Sequence, residues 1–451
     1  MELKSINPYT GNCIATVPEF SDKQIQAAIH QSEKAFHHWS HLAIARRADL
    51  IMETGRILLA NKEMYARTIT SEMGKPIRES IAEVEKCAWV CSWYAENGPD
   101  FLRDEGILTD ATRSYVRYAP LGSILAIMPW NFPFWQVFRC AVPTLLAGNC
   151  VILKHASNVQ QCAALMEDIF LQAGCSEGVF KNIPAGSAKV PGLIAAPCVK
   201  AVTLTGSEEA GSDVAALAGR QLKKTVLELG GSNPFLVLDD ADLSSAVETG
   251  FRSRMQNAGQ SCIAAKRFIV HEKVYDAFVE MFLQKAQKII VSDPMKPGTE
   301  MGPLAGTAYA VNVERQVTAS QYMGATVLYG GHRQGAFFEP TVMINVTPEM
   351  PVFREEVFGP VAVITKAPDE EKMMELAGCS PFGLGATIFT SDLKRAERMI
   401  PGFDDGAVFI NEMVKSDPRL PFGGTGKSGY GRELSWHGIR EFVNVQTIYI
   451  R

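Results

Sequence analysis

The strongest candidate for chemistry in this sequence is a cysteine on a loop of small and polar residues. Cys262 ends the run 256–262, which follows a helical pattern and precedes a strand-like stretch at 266–270. A thiolate is the strongest nucleophile among protein side chains, and small neighbours let it approach a carbonyl carbon closely. The alternative is a buried structural cysteine, because most free cysteines behave in that way. The local sequence leaves both interpretations open.

Two further side chains follow strand patterns and could support attack on an aldehyde. Asn131 follows a predicted strand in the first half of the chain, and Glu228 ends another near the middle. The Asn131 amide and the backbone N–H of Cys262 could stabilise a tetrahedral oxyanion. The Glu228 carboxylate could activate the water that hydrolyses a thioester. Taken singly, Asn131 also fits a turn residue, and Glu228 fits an ordinary carboxylate at a strand end.

A third feature suits a ligand that carries phosphate. Thr205, Gly206 and Ser207 follow a strand pattern and precede a helical one. Free backbone N–H groups at the start of that helix suit a pyrophosphate. No GxGxxG fingerprint follows a predicted strand, and Gly-Ser is also a common loop and cap. This segment alone is therefore weak evidence for nucleotide binding.

The elements that must position these residues alternate between short apolar strands and helices. Strand patterns in the first half lie at 124–128, 151–153, 180–183 and 201–204, with helical patterns at 134–146, 159–173 and 208–218 between them. A second alternation begins near residue 229, with strands near 268–270, 327–329, 361–365, 387–390 and 407–410. Such alternation predicts an α/β fold with parallel strands, crossover helices and ligands beyond the carboxyl ends of the strands. Polar alternating segments at 109–120 and 441–450 are typical of edge strands and could lie side by side.

Six motifs resemble those of the aldehyde dehydrogenase superfamily and occur in the family's order. They are PWNFP at 129–133, TGS at 205–207, ELGG at 228–231, GQSC at 259–262, EEVFGP at 355–360 and PFGG at 421–424. The likeness covers nearly the whole chain. It implies a Rossmann-like cofactor-binding domain at 1–101 and 121–228 and a second α/β catalytic domain at 229–428. It also implies a small β oligomerisation arm at 102–120 and 435–451, which would join the chain into a homodimer or homotetramer.

The resemblance also implies roles for individual residues. Cys262 would be the nucleophile, Glu228 the general base and Asn131 the oxyanion donor. The residues implied at the cofactor are Trp130, Lys154, Gly206, Ser207, Glu356 and Phe358. Among these, Gly206 and Ser207 would line the pyrophosphate site, and Phe358 would lie beside the nicotinamide. Lys154 would meet the adenine ribose and Glu356 the nicotinamide ribose.

Within the superfamily the chain is most similar to the succinate semialdehyde dehydrogenases. Arg139 stands where that subfamily places an arginine for the substrate carboxylate, and a guanidinium can bind a carboxylate with two hydrogen bonds. Ser416 matches a substrate-side serine of the same subfamily. Arg139 is also compatible with an ordinary helix surface. Gln256 departs from the pattern, because the subfamily often has a second arginine at this position close to the nucleophile. Arg254 is nearby, but the sequence does not show whether its side chain points toward the site.

The activity implied is NAD(P)-dependent oxidation of succinate semialdehyde to succinate through a cysteine thiohemiacetal and a thioester. A less selective dehydrogenase of small aldehydes is the first alternative, and a catalytically silent binding protein on the same scaffold is the second. Ser157 bears on the cofactor, because NAD-selective relatives commonly carry a glutamate there. A neutral hydroxyl beside Lys154 does not repel a 2′-phosphate, so we expect NADP to be preferred and NAD to be possible.

Composition narrows the class of protein. The 451 residues are 47% hydrophobic and 21% charged, with a net charge of −5, as in ordinary globular proteins. Without a Lys/Arg tract or a long apolar run, neither nucleic acid nor a membrane is an expected partner. Ten scattered cysteines and a polar N-terminus favour reduced thiols and a cytoplasmic location. Cys87 and Cys91 have helical spacing but no second ligand pair, so no metal is expected.

Overall fold

The computed structural model describes residues 2–451, which form two large sheets flanked by helices and a smaller β arm. The elements of the first half are β1 (Glu2–Ile6), β2 (Cys13–Pro18), α1 (Asp22–Trp39), α2 (Ile44–Ala60), α3 (Lys62–Met73), α4 (Ile77–Phe101), β3 (Glu105–Gly106), β4 (Arg113–Pro120), β5 (Ser123–Met128), α5 (Trp135–Leu146), β6 (Cys150–His155), α6 (Gln160–Gln172), β7 (Phe180–Asn182), α7 (Val190–Ala195), β8 (Val199–Thr205), α8 (Glu208–Arg220) and β9 (Lys224–Glu228).

The second half continues the alternation of strands and helices. Its elements are β10 (Asn233–Val237), α9 (Leu243–Met255), β11 (Ala265–His271), α10 (Glu272–Ala286), α11 (Thr307–Tyr322), β12 (Thr326–Tyr329), β13 (Arg333–Gln334), β14 (Phe337–Phe338), β15 (Thr341–Ile344), α12 (Pro351–Arg354), β16 (Val361–Ala367), α13 (Glu370–Gly378), β17 (Phe382–Gly383), β18 (Ala386–Phe389), α14 (Leu393–Met399), β19 (Val408–Ile410), β20 (Thr425–Gly426), β21 (Gly429–Tyr430), α15 (Ser435–Ile439) and β22 (Val443–Ile450).

The first sheet is built on five parallel strands in the order β9-β8-β5-β6-β7, and β21 pairs antiparallel with its β9 edge. Leu125 and Ile152 pack into one apolar cluster, whereas their neighbours Ala126 and Leu153 pack into another. Both faces are therefore covered, which explains why these strands are apolar throughout. The carboxyl ends of β5, β8 and β9 lead to Asn131, Gly206 and Glu228.

The second sheet has the order β12-β15-β16-β11-β10-β18-β19 and is parallel except at β12. Because β10, β11 and β16 are parallel neighbours, the loops that precede them lie together at one end of the sheet. These loops carry Gly231, Cys262 and Glu356. The chain enters this sheet directly from β9 of the first one, so the amino end of the second sheet meets the carboxyl end of the first at Glu228.

The arm is a three-stranded sheet in the order β22-β4-β3. Antiparallel pairing runs from Val443 opposite Pro120 to Ile450 opposite Arg113, which confirms the predicted pairing of the two polar segments. The other edge of β22 has no strand partner within residues 2–451. None of the helices described there is long and apolar enough to cross a membrane.

The α/β class and most of the strand positions are confirmed, and several elements differ from the predictions. The helical pattern that starts at Pro76 predicts an end near Tyr94, whereas α4 continues to Phe101 and includes Pro99. The sequence also predicts a turn that begins at Asn7, and in the structure this turn joins β1 and β2 into a hairpin. Strands β10 and β15 were not predicted separately, because each follows a proline- or glycine-rich turn and is only four or five residues long.

Candidate active site

The cysteine loop leaves α9 through a turn with unusual backbone angles. Asn257 and Ala258 both have φ of 52°, and Gly259 has φ of 74°. Left-handed conformations cost energy for residues with a Cβ, so the surrounding contacts must hold this turn in place. A Cβ on Gly259 would overlap the carbonyl oxygen of Gly359. The loop therefore needs glycine at 259, and its course presents Cys262 to a cavity of about 740 Å³.

Buried cations hold the carbonyl groups of this loop. The guanidinium of Arg254 donates to the carbonyl oxygens of Gly259 at 3.0 Å and Val357 at 3.2 Å, and also to that of Gly359. The ammonium of Lys266 donates to the carbonyl oxygens of Ser261 and Cys262, each at 3.0 Å. Charge-assisted hydrogen bonds of this kind are strong, and here they fix the backbone on both sides of the nucleophile.

Burial raises the pKa of the Cys262 thiol to about 11, while Arg139 and Lys266 act to lower it. The thiol of the free protein is therefore mostly protonated at neutral pH. Formation of the thiolate requires a base or a further positive field near the sulfur.

Asn131 lies in the turn after β5 and contacts the cysteine loop directly. Its Nδ2 donates to the backbone carbonyl oxygen of Gln260 at 3.1 Å, and its backbone carbonyl oxygen accepts from Nδ2 of Asn257 at 2.8 Å. Gln260 is fixed in turn, because its Oε1 accepts from the backbone N–H of Ala305 at 2.9 Å. The structure thus brings Asn131 and the residues just before Cys262 together.

Glu228 ends β9, opposite Gly429 of β21 and Thr205 of β8. Both of its carboxylate oxygens are buried and lack a hydrogen-bond partner within residues 2–451. Burial, reinforced by the negative charge of Glu433, raises the pKa of Glu228 well above its usual range, and Arg139 opposes the shift. A buried carboxyl group with free oxygens and a raised pKa is suited to accept a proton as a general base.

Arg139 lines the cavity and is buried, with only 1% of its surface exposed, so it does not lie on the surface of its helix. It forms an ion pair with Glu433, and its Nη2 donates to Thr205 Oγ1 at 3.3 Å. Its guanidinium carbon lies 4.6 Å from the centre of the Phe422 ring. Most of the charge of Arg139 is therefore balanced within the protein.

Ser416 lines the same cavity, and its hydroxyl oxygen accepts two hydrogen bonds. The donors are Nζ of Lys86 at 2.8 Å and Nε1 of Trp135 at 3.1 Å. Because a hydroxyl has two lone pairs and one proton, these contacts use both lone pairs and leave the O–H to donate elsewhere. A substrate oxygen in the cavity is a suitable acceptor.

Gln256 and Arg254 have different surroundings. Gln256 lines the cavity, whereas Arg254 is fully buried and bound to backbone carbonyl groups. Arg254 therefore does not take the place of the second arginine that is common in the subfamily. Its role in this structure is to hold the cysteine loop.

The residues predicted at the cofactor fall into two groups. Trp130 packs between Tyr309 and Phe358, with ring centres 4.4 and 5.8 Å away. Glu356 faces Lys266, and its Oε1 accepts from Nζ at 2.9 Å and from the backbone N–H of Gly231 at 3.1 Å. This first group lies beside the cysteine loop.

The second group lies along the carboxyl ends of β6 and β8. Ser207 is the N-cap of α8, and its side chain accepts from the backbone N–H of Ala210 at 3.2 Å. Next to it, Gly206 is held by a hydrogen bond from its N–H to the Glu228 carbonyl at 3.0 Å. Lys154 has no carboxylate within 4.0 Å among residues 2–451, and Ser157 on the following turn is exposed.

These surroundings fit a nucleotide that bears phosphate. A buried ammonium, an exposed hydroxyl and the free N–H groups of a helix N-terminus are all donors, and phosphates are acceptors. Burial lowers the pKa of Lys154, and the carboxylate of Glu19 opposes that shift. A bound phosphate would stabilise the ammonium in the same way.

Three residues that shape the site were not predicted from the sequence. Glu433 pairs with Arg139 across 294 positions and belongs to no motif, so no local signal reveals it. Lys86 lies on α4, whose sequence pattern indicates only a structural helix. The support that Lys266 gives to the loop has a weak local signal, since a lysine at the start of a strand that continues with Phe268, Ile269 and Val270 requires partners if it is buried.

Comparison with known proteins agrees with this geometry. Residues 1–448 match the model of the aldehyde dehydrogenase family. The chain is 45% identical to a probable NADP(+) succinate-semialdehyde dehydrogenase of Synechocystis sp. over 100% of both chains. It is 47% identical to the NAD(P)+ succinate semialdehyde dehydrogenase of Escherichia coli, over 99% of this chain and 97% of that protein.

A solved structure is similar over the same extent. Succinic semialdehyde dehydrogenase from Streptococcus pyogenes in complex with NADP+ superposes with a TM-score of 0.97 and 37% identity, covering 99% of both chains. The matched family model, the full-length relatives and the shared fold all include the elements that bring Cys262, Asn131 and Glu228 together. The chain belongs to the aldehyde dehydrogenase family of oxidoreductases.

Proposed function

We propose that this chain is a succinate-semialdehyde dehydrogenase that prefers NADP. The observation that carries the proposal is the cavity itself, which is lined by Cys262 and by Arg139, Ser416 and other polar donors. Succinate semialdehyde has an aldehyde at one end and a carboxylate at the other, so it matches this arrangement. The names of the relatives at 45% and 47% identity support the same substrate.

In the proposed mechanism the Cys262 thiolate attacks the aldehyde carbon to form a thiohemiacetal. The second N–H of the Asn131 amide and the backbone N–H of Cys262 stabilise the oxyanion, since the first amide N–H is already bound to Gln260. When bound, NADP accepts the hydride that leaves this carbon. Trp130 and Phe358, which pack against each other, would form a wall of the nicotinamide site, and Glu356 would hold the nicotinamide ribose.

Glu228 then acts as the base that activates water against the thioester. Its unpaired buried oxygens are available to a water molecule, and Arg139 stabilises its ionised form. Replacing Glu228 with alanine should therefore let the acyl-enzyme form and stall, whereas Cys262→Ala should abolish the first step. Mass spectrometry of the enzyme after a single turnover distinguishes the two variants.

Lys154 and Ser157 support the preference for NADP. An ammonium without a carboxylate partner and a neutral hydroxyl favour a 2′-phosphate, while Gly206 and Ser207 offer the helix N-terminus to the pyrophosphate. Ser157→Glu should lower kcat/KM with NADP by about 10-fold or more, because it places a negative charge beside the phosphate. Activity with NAD should change less; an equal loss with both cofactors would contradict this assignment.

The experiment that tests the activity follows reduced nicotinamide absorbance with succinate semialdehyde and with butanal, using both cofactors. We expect the highest kcat/KM with succinate semialdehyde and NADP. Equal kcat/KM for butanal would favour the less selective small-aldehyde dehydrogenase, a candidate supported by Gln256 and by the balanced charge of Arg139. No turnover with either aldehyde would favour the silent relative.

The proposal extends to domain organisation and assembly. Residues 1–101 and 121–228 would bind the cofactor, 229–428 would carry the nucleophile, and 102–120 with 435–451 would join copies into a dimer or tetramer. The open edge of β22 supports this assembly. A cytoplasmic location is part of the same proposal, supported by ten cysteines that are all unpaired.

A further inference from the structure

Lys86 is the cation in the substrate cavity whose charge the protein leaves unbalanced. It projects from α4 into the cavity that Cys262, Arg139 and Ser416 also line. Its Nζ donates to Ser416 Oγ at 2.8 Å and lies 4.1 Å from the centre of the Trp135 ring. Within residues 2–451 no carboxylate lies within 4.0 Å of this ammonium.

The other cations along the cavity have acidic partners. Arg139 is paired with Glu433. The remaining three pair at the rim: Arg78 with Glu300 at 3.8 Å, and Arg252 and Lys415 with Glu412 at 3.5 and 3.1 Å. Lys86 therefore contributes positive charge to the cavity that no neighbour cancels at close range.

The nearest carboxylate on the same helix is already occupied. Glu83 forms an ion pair with Lys75 and accepts from the backbone N–H groups of Phe134 at 2.9 Å and Trp135 at 3.0 Å. Burial lowers the pKa of Lys86 to about 8, and Arg139 adds to the shift. A buried ammonium is costly unless it is paired, so an anion that enters the cavity gains from contact with it.

Ser416 completes this anion site. Lys86 and Trp135 occupy the lone pairs of its hydroxyl, which directs the remaining O–H toward another acceptor. An ammonium with further N–H groups and a hydroxyl donor next to each other suit the two oxygens of a carboxylate.

We propose that Lys86, together with the Ser416 hydroxyl, binds the carboxylate of the substrate and determines the selectivity for aldehydes with a distal carboxylate. This inference rests on the proposed function and assigns its specificity to a residue outside the family motifs. Arg139 then acts chiefly through Glu433 and Glu228, and Lys86 supplies the free charge that recognises the substrate.

The test compares Lys86→Met, Lys86→Arg and Lys415→Met in the NADP-loaded enzyme. Methionine keeps the length of the side chain but removes the charge, and Lys415 is a cavity lysine whose charge is balanced by Glu412. For Lys86→Met we expect KM for succinate semialdehyde to rise by about 10- to 100-fold with kcat within about threefold, since a lost charge-assisted hydrogen bond is of this order. Lys86→Arg should recover most of the affinity, and Lys415→Met should stay within about twofold of the parent.

The ratio of kcat/KM for succinate semialdehyde to that for butanal separates recognition from folding. This ratio should fall with Lys86→Met. If Lys86 has only a structural role, kcat/KM should fall equally for both substrates, and that result would overturn the inference. Values for Lys86→Met that match Lys415→Met would also overturn it. If the parent enzyme itself shows no preference for succinate semialdehyde, the proposed function fails instead, and the two failures are thus distinguishable.

A pH profile gives an independent readout. The groups that face Lys86 are Glu83 and Cys87 on its own helix, Arg139 on α5 and Asp417 beside Ser416. KM of the parent for succinate semialdehyde should rise above about pH 8 as the ammonium loses its proton. The profile of Lys86→Arg should remain flat in that range, because a guanidinium keeps its charge. Parallel profiles for the two enzymes would count against the proposal.

Discussion

At the scale of single residues, the site is a chain of mutually dependent charges. Arg139 acts on the thiol of Cys262 and on the carboxyl groups of Glu228 and Glu433. Because Arg139, Glu228 and Glu433 are buried and Cys262 is partly buried beside them, a change in one of these groups should alter the protonation of the others. The site is therefore best tested by its response to pH.

The first prediction concerns the reactivity of Cys262 in the cofactor-free enzyme. Burial raises its pKa to about 11, so the thiolate is scarce at neutral pH and increases with pH. In a Cys13→Ser background, which removes the exposed cysteine, the rate of alkylation by iodoacetamide should rise by about tenfold per pH unit between pH 7 and 9. The same measurement on Cys262→Ala gives the rate of alkylation of the other cysteines, which is subtracted. A rate that levels off below pH 8 would contradict the prediction.

The second prediction concerns Glu433→Gln. Burial and the negative charges of Glu433 and Glu441 all raise the pKa of Glu228, so removing the charge of Glu433 should lower that pKa. The acid limb of the pH–rate profile should then move to lower pH, because Glu228 ionises at lower pH without the charge of Glu433. Glu228→Gln identifies which limb belongs to this residue. A limb that stays in place or moves to higher pH would show that Glu433 does not control the base.

Circular dichroism and thermal unfolding must accompany that variant. Glutamine leaves Arg139 as a buried charge without its counterion, and breaking such a pair typically costs about 3–5 kcal/mol. The shift in the acid limb is interpretable only if Glu433→Gln remains folded at the assay temperature.

The sequence could predict only part of this charge chain. Cys262, Glu228 and Asn131 could be indicated by the strand and helix patterns that precede them, and Arg139 by the resemblance to the succinate semialdehyde dehydrogenases. The sequence did not reveal that Arg139 is neutralised by Glu433, since that pairing depends on β21 returning to the edge of the first sheet. Burial of a long-range partner has no local signature.

At the scale of elements, the loop between α9 and β11 is the part most sensitive to substitution. Gly259→Ala should lower the free energy of unfolding by about 1–3 kcal/mol and reduce kcat/KM by at least about tenfold, because φ of 74° and the Gly359 carbonyl oppose a Cβ. Gly298→Ala is the matched control, since a Cβ there meets open space. Chemical denaturation and the absorbance assay measure both effects; equal behaviour of the two variants would contradict the prediction.

Element positions were predictable where strands and helices alternate regularly. Predicted strands at 151–153 and 201–204 correspond to β6 and β8, because continuous apolar runs between helices have few alternatives. The placement of Cys262 differs from the general expectation for parallel sheets. Its loop lies at the amino end of the second sheet, and the site forms there only because the carboxyl end of the first sheet meets it.

At the scale of the whole molecule, the arm is a three-stranded sheet with one unpaired edge among residues 2–451. Strand β22 pairs with β4 along one edge and leaves its other edge open, and Val445 is 62% exposed on it. Open edges with apolar side chains readily pair with a second chain, so we expect the protein to associate through this strand.

Lysines on one face of that strand test the proposed assembly. Val445→Lys with Thr447→Lys places two positive charges on side chains that both point away from the core, so two copies brought edge to edge should repel each other. Light scattering after size-exclusion chromatography should give a multiple of the chain mass for the parent and a lower mass for the variant. Tyr322→Lys, at an 89% exposed site on α11, should keep the parent mass. If the parent is an oligomer and the double variant keeps its mass, the oligomer uses another surface. A parent with the mass of a single chain would exclude the arm as an assembly element.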